Sequence, residues 1–342
     1  YSQSISGSAS PRDLETALQL GVLRFTSPNK DPAAFDLLKR QLETLLANQE
    51  QTPAFAYSER VGAINTVGHY TSRSPTLADV KKLDPERMMQ FYQQRFANAA
   101  NFTFFFVGAF TVDEITPLLT TYLASLPSTG KPDAKRGDLR LQFPATVIRE
   151  TVVKGKEPRS QTAITFFADT KLDEMEDYRL SAATAVLQAR LRDILREQMG
   201  GTYSVGAQYG STSPEPGYGT VTVAFGSSPE NVDSLTKAVM AEIDRLRRDG
   251  PSASDINAVR EAEKNDIKTA LRQNGYWLNS LQVMHQLERD PRKIPQRIER
   301  ADTLTLENVH DAFRKYFPAN RHTVVTLRPE SSPPASPAAP PK

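Results

Sequence analysis

Two stretches of this chain carry one pattern. Leu83-x-x-Glu86, followed by Phe91-Tyr92 and Arg95-Phe96 before an apolar run, recurs 221 residues later as Leu304-x-x-Glu307, followed by Ala312-Phe313 and Tyr316-Phe317 before another. Nearly the same shift lays Ser10-Pro11 on Ser228-Pro229 and the helical pattern around Phe35 on the one around Ile256. A period this long does not fit a solenoid and predicts duplicated domains. Read in register, the chain holds one complete α+β unit preceded by the later part of another. Each unit is expected to be a mostly antiparallel sheet with helices packed on one face. The opening strands of the first unit, and its counterpart of the helix ending at Arg196, are expected upstream of Tyr1.

Local signals fill in this frame. Ser10-Pro11-Arg12-Asp13 and Asp31-Pro32 open helices through Leu14, Leu18 and Leu23, and through Phe35, Leu38, Leu42 and Leu45. Residues 50–80 read as mixed and partly helical. Asp84-Pro85-Glu86 starts a helix through Met88, Phe91 and Phe96, the apolar run from Asn101 to Gly108 reads as a strand, and Thr111 caps a further helix. Pro127 to Gly137 is a linker by composition. Strands follow at Thr146–Lys154 and Thr162–Phe167, then a helix to Arg196, strands from Tyr203 and over residues 220–226, and helices through Leu235, Val239 and Ile243 and through Ile256, Val259 and Ile267. A last helix spans Thr305 to Phe317, and the strand HTVVTL closes the unit. The expected organisation is a partial α+β domain over 1–130, a linker over 131–145, a complete domain over 146–329 and a disordered Pro/Ala-rich tail over 330–342.

Composition narrows the function. A net charge of +2 over 342 residues gives no footprint for nucleic acid or an acidic membrane surface. No apolar run reaches the length of a membrane span. With no cysteine, thiolate metal sites, disulfides and cysteine nucleophiles are all absent from the sequence. That composition suits a periplasm and a cytosol equally.

The most informative stretch runs from Leu187 to Gly210. Ala183, Leu187, Leu191 and Ile194 or Leu195 form a helical stripe, Gly200-Gly201 can end the helix, and Tyr203, Val205 and Ala207 alternate as in a half-buried strand. Arg196 in the last turn and Tyr203 at the strand start can converge on a peptide carbonyl and stabilise the oxyanion formed on attack. The same residues also suit plain structural roles. A helix dipole favours arginine at its C-terminal end, and tyrosine is an ordinary amphipathic strand residue. The residue chemistry alone leaves both readings open.

Two passages then point to a family. The segment from Met88 to Pro127, MMQFYQQRFANAANFTFFFVGAFTVDEITPLLTTYLASLP, resembles the domain signature of the insulinase/pitrilysin-type (M16) zinc metallopeptidases. The passage LRDILREQMGGTYSVGAQ resembles the later signature of that family, a helix ending R-E-x-x-G-x-x-Y-S-V. The resemblance runs from Ile5 to Pro329. It implies four homologous domains in the long members, closing as two halves around a peptide, with zinc on an inverted H-x-x-E-H helix of the N-terminal half. This chain is similar to the C-terminal half. Arg196 and Tyr203 match the arginine and tyrosine that bind substrate backbone and tetrahedral intermediate in the family, and Gln208 and Tyr209 are placed along the chamber wall. The implied partners are a peptide or unfolded protein substrate and the N-terminal half of the same protein, with no nucleic acid and no membrane span. Resemblance to long bacterial members points to the periplasm.

No metal site is expected in this chain, and zinc is assigned to the absent half. The histidines are His69, His285, His310 and His322, and no two have the zinc-helix spacing. His285-Gln-Leu-Glu288-Arg289 places arginine where the second histidine ligand belongs. The expected function is the substrate-enclosing half of a metalloendopeptidase, inactive alone. Two alternatives stand beside it: a non-catalytic scaffold of the same family and a peptide-binding module that does not cut.

Overall fold

The computed structural model describes residues 3–134, 139–171, 173–198, 202–211 and 217–330, without the side chains of 196–198, 202 and 203. The 221-residue period is visible in where elements begin. In chain order, helices α1 (Leu14–Thr26), α2 (Pro32–Glu50), α3 (Pro53–Asn65), α4 (Leu77–Lys81), α5 (Pro85–Phe96) and α6 (Val112–Tyr122) come first. Strands β1 (Ile148–Val153) and β2 (Ser160–Phe167), helix α7 (Glu174–Arg192), and strands β3 (Thr202–Ser211) and β4 (Gly219–Ser227) follow. Helices α8 (Val232–Asp249), α9 (Ala253–Ala270), α10 (Asn274–Gln286), α11 (Arg297–Arg300) and α12 (Leu306–Tyr316) lead to the last strand, β5 (His322–Arg328). The starts of α2 and α9, α3 and α10, and α5 and α12 each differ by 221, as do the 3₁₀ turns opening at Tyr70 and Pro291.

Packing divides the chain differently from the repeat. One compact unit combines residues 1–47, 75–137 and 271–283; the other combines 48–74, 138–270 and 284–342. Thus α3, which belongs to the first repeat by sequence, packs in the unit built mainly from the second. Most of α10 goes the other way.

The first unit is helical. Thr76 with Asp79 and Thr111 with Glu114 form capping boxes that start α4 and α6, each satisfying two otherwise orphaned backbone N–H groups. Phe25, Phe96 and Phe102 cluster with ring centroids 4.8–5.1 Å apart, and the Tyr92 hydroxyl donates to the carbonyl of Arg24 at 2.9 Å. Residues 102–107, within the Asn101–Gly108 run read from sequence as a strand, are neither helix nor strand.

That sheet lies in the second unit, in the order β1-β5-β2-β4-β3. Its pairings are antiparallel except β1 with β5, so it is a mostly antiparallel sheet, as the sequence predicts. Ile164, Phe166, Val221, Val223 and Phe225 point to one face and form the core with α7, α8 and α12. The other face meets α3 at β1 and β5. There Asn65 forms a buried polar knot: its Nδ2 donates to Thr165 Oγ1 at 3.2 Å, its Oδ1 accepts from Thr323 Oγ1 at 2.7 Å, and its carbonyl accepts from the Tyr218 hydroxyl at 2.8 Å. The side-chain amide thus has partners on β2 and β5, and the main-chain carbonyl has one just before β4.

Candidate functional site

The site read from sequence hangs on α7. Asp173 caps it, accepting from the N–H groups of Met175 at 3.0 Å and Glu176 at 2.8 Å, and Glu174, Glu176 and Asp177 complement the dipole of its first turn. The expected apolar stripe is the one that packs: Ala183, Leu187, Leu191 and Leu195 are fully buried.

At Asp193 the helix widens into a π-helical turn, Asp193–Gln198, that contains Arg196. Strand β3 then opens with a bulge. Thr202 faces Ser227 and Ser204 faces Gly226, so Tyr203 is the extra residue of the register shift. Both irregularities re-aim side chains and are enriched at functional sites. Arg196 and Tyr203 therefore stand at the two points where this helix–strand unit departs from regular geometry. Their side chains, and all of Gly200 and Gly201, lie outside the described residues.

Gln208 and Tyr209, further along β3, do not share a face. Gln208 is exposed beside Ser204, opposite Thr222 in the β4 register, on a strip where Ala224 is also exposed. Tyr209 turns inward to α7. Its hydroxyl donates to Asp177 Oδ1 at 2.6 Å and contacts Thr170 Oγ1 at 3.1 Å, while Arg289 Nη2 meets Asp177 Oδ2 at 2.7 Å. Burial and the neighbouring carboxylate push the phenol well above its ordinary range, so it is a neutral donor in a closed network.

Gln188 escapes sequence reading. It extends from α7 to the edge strand, its Nε2 donating to the carbonyl of Val205 at 3.1 Å and its Oε1 accepting from the Ala207 N–H. The only sequence signal is a polar residue flanked by the buried stripe, which is common on helices. Asp177 and Arg289 are 112 residues apart, and no local pattern links them.

The described residues do not fit a catalytic metal. They include no group of three His, Asp or Glu side chains that could hold one. Helix α10 ends at Gln286, Glu288 takes a left-handed φ of 53°, and Arg289 is committed to Asp177, so the His285 segment does not present ligands along one helix. His310 bonds the carbonyl of Arg247 at 2.9 Å, and His322 is buried against the Phe166 ring. A hollow of about 540 Å³ in the first unit, lined by Phe104, Leu119, Leu123 and Leu126 among others, holds no titratable group and offers no reaction chemistry. No helix among the described residues is long and apolar enough to cross a membrane.

Comparison with known proteins fits this architecture. The family described as the peptidase M16 inactive domain matches residues 82–263. A protein from Arabidopsis thaliana named "Zinc protease PQQL-like" is 26% identical over 286 residues, covering 79% of this chain and 30% of that protein. The solved structure of the periplasmic protease PqqL from Escherichia coli superposes with a TM-score of 0.78 at 21% identity, covering 93% of this chain and 35% of that one. The ferredoxin protease FusC, solved in complex with Arabidopsis ferredoxin, gives a TM-score of 0.79 at 17% identity, covering 94% of this chain and 35% of that one. The chain thus spans about a third of these relatives. At such identities the structural matches establish the fold.

Proposed function

This chain belongs to the peptidase M16 inactive-domain family, and from that premise we propose that it is the zinc-free, substrate-enclosing half of a zinc metalloendopeptidase. As sequence domains, residues 1–130 and 146–329 are then successive homologous domains of the C-terminal half. Zinc and general base are assigned to the N-terminal half, the substrate is a peptide or an unfolded protein segment, and the compartment is the periplasm. The observation that carries this reading is the coincidence of the family-like R-E-x-x-G-x-x-Y-S-V passage with a π turn at Arg196 and a β-bulge at Tyr203.

In this role the chain binds and orients. Arg196 holds a backbone carbonyl of the substrate through charge-assisted hydrogen bonds. Tyr203 donates to the oxygen that becomes negative when the scissile carbonyl is attacked, an interaction that is worth most in the transition state. The open strip bearing Ser204, Gln208 and Ala224 forms part of the wall along which the peptide lies. Tyr209 supports that wall from behind through Asp177.

Kinetics on the full-length protein tests this directly. Tyr203→Phe keeps the ring and removes one donor, so turnover should fall by ~10²–10³ with melting temperature unchanged. Arg196→Ala should raise KM as well. Normal turnover in Tyr203→Phe sinks the proposal and leaves a scaffold of the same fold.

A further inference from the structure

We propose that Gln188 is the positioning residue that sets the relative placement of Arg196 and Tyr203; this rests on the reading of those two residues given above. The geometry is that of a surrogate strand. β3 is an edge strand, and within a strand the peptide groups of alternate residues point to the same side. The Val205 carbonyl and the Ala207 N–H therefore face one way, and the single carboxamide of Gln188 takes both. A residue of a parallel neighbouring strand makes the same two bonds, giving its N–H to one carbonyl and accepting from the N–H two residues on. Here the bonds come from a helix, so they fix α7 against β3 in position and in register.

Those two bonds close a loop. Between Gln188 and Val205 the chain runs to the end of α7, through the π turn with Arg196, and back through the bulge at Tyr203. Beyond the clamp, Ala183, Leu187 and Leu191 seat the helix on the core through non-directional contacts, which tolerate small slides. A bidentate amide is less tolerant of them, because hydrogen bonds weaken steeply with distance and angle. Gln188 touches no substrate in this account. It acts by holding the two elements whose irregular turns present Arg196 and Tyr203.

The experiment uses the full-length protein with a fluorogenic peptide, together with amide hydrogen exchange. Gln188→Leu removes both bonds, and Gln188→Glu keeps an acceptor for Ala207 while losing the donor to Val205. Turnover should fall in the order wild type, Gln188→Glu, Gln188→Leu, with the last reduced roughly 10- to 100-fold, as expected for displaced reacting groups. The Ala207 amide should exchange faster in Gln188→Leu. Adding Gln188→Leu to Tyr203→Phe should slow the enzyme far less than it slows wild type, because a missing donor cannot be misplaced. Unchanged exchange at Ala207 overturns the clamp itself. Intact turnover in folded Gln188→Leu, or full multiplicativity with Tyr203→Phe, overturns the positioning role. Failure of the underlying functional reading shows separately, as normal turnover in Tyr203→Phe alone. If Gln188→Leu does not fold, the comparison of wild type with Gln188→Glu decides, and equal turnover in those two overturns the proposal.

Discussion

Helices α5 and α12 hold the same place in the two repeats and meet different fates. Val309 and Ala312 are 0% and 5% exposed, whereas Met88 and Phe91, their counterparts 221 residues earlier, are 42% and 53% exposed. The sequence patterns are alike, so the pattern does not cause the difference. α12 packs against α7 and α8, whereas α5 packs against α1. An amphipathic pattern selects which face of a helix is offered to a core; the neighbouring layer decides whether that face is buried.

This contrast can be broken by mutation. Phe313 is fully buried among Phe317 and the sheet core, so Phe313→Ala should cost about 3–5 kcal/mol in denaturant unfolding. Phe91→Ala, the same change on the exposed face of α5, should stay within about 0.5–1 kcal/mol. Equal losses would mean that α5 is covered to the same degree as α12 in solution. Next in size, Asn65→Ala removes the side-chain bonds between α3 and the sheet and leaves the Thr323 hydroxyl without its Asn65 acceptor, while Thr165 keeps Thr222. A loss of about 1–3 kcal/mol is expected, and a neutral result would detach α3 from that unit.

Acid should separate the units further. Burial holds the His322 imidazole below its ordinary value of 6.5, so the folded state disfavours its charged form. Stability from this residue is complete above pH 6.5 and declines as the pH drops toward the depressed value. Glu242 is raised by burial, but hydrogen bonds from Arg245 and Arg190 prevail and hold it below 4.5. Its contribution is present above pH 4.5 and is lost as the pH falls through the folded value. Thermal melts between pH 7 and 2 should weaken the second unit in two steps, and Glu242→Gln should flatten the lower one. The smallest effect belongs to the first unit. Lys30 and Glu86 pair there with both side chains well exposed, and Glu86→Gln should change stability by less than about 0.5 kcal/mol.

Periodic and local features of this molecule are legible in its sequence. The α2/α9 and α5/α12 pairs separated by 221 residues, the buried stripe of α7 and the second unit's mostly antiparallel sheet follow from spacing, caps and alternation, whereas α3 lies in residues that read only as mixed and partly helical. The backbone around Arg196 and Tyr203 is less so. A π turn differs from an α turn by one residue of slack, and a bulge by one residue of register, and neither has a distinctive composition. Side-chain bonds across long separations leave no trace at all. Gln188 reads as one more polar helix residue, and Asp177 gives no hint of Arg289. The packing of α3 with the second repeat is hidden for the same reason, since Asn65 meets Thr323 258 residues later.

That last contact has a consequence in time. Strand β5 is the final strand of the sheet to be synthesised, yet it sits between β1 and β2 rather than at an edge. Until it emerges, β1 and β2 have no common neighbour, and α3 lacks its β5 contacts, Thr323 for Asn65 and the Val325 carbonyl for Tyr57. At the usual pace of translation, α3 waits on the order of tens of seconds for the β5 part of its seat. A nascent polypeptide stopped before His322 would therefore leave β1 without its strand partner and α3 without its β5 contacts, exposing both to the chaperones around it.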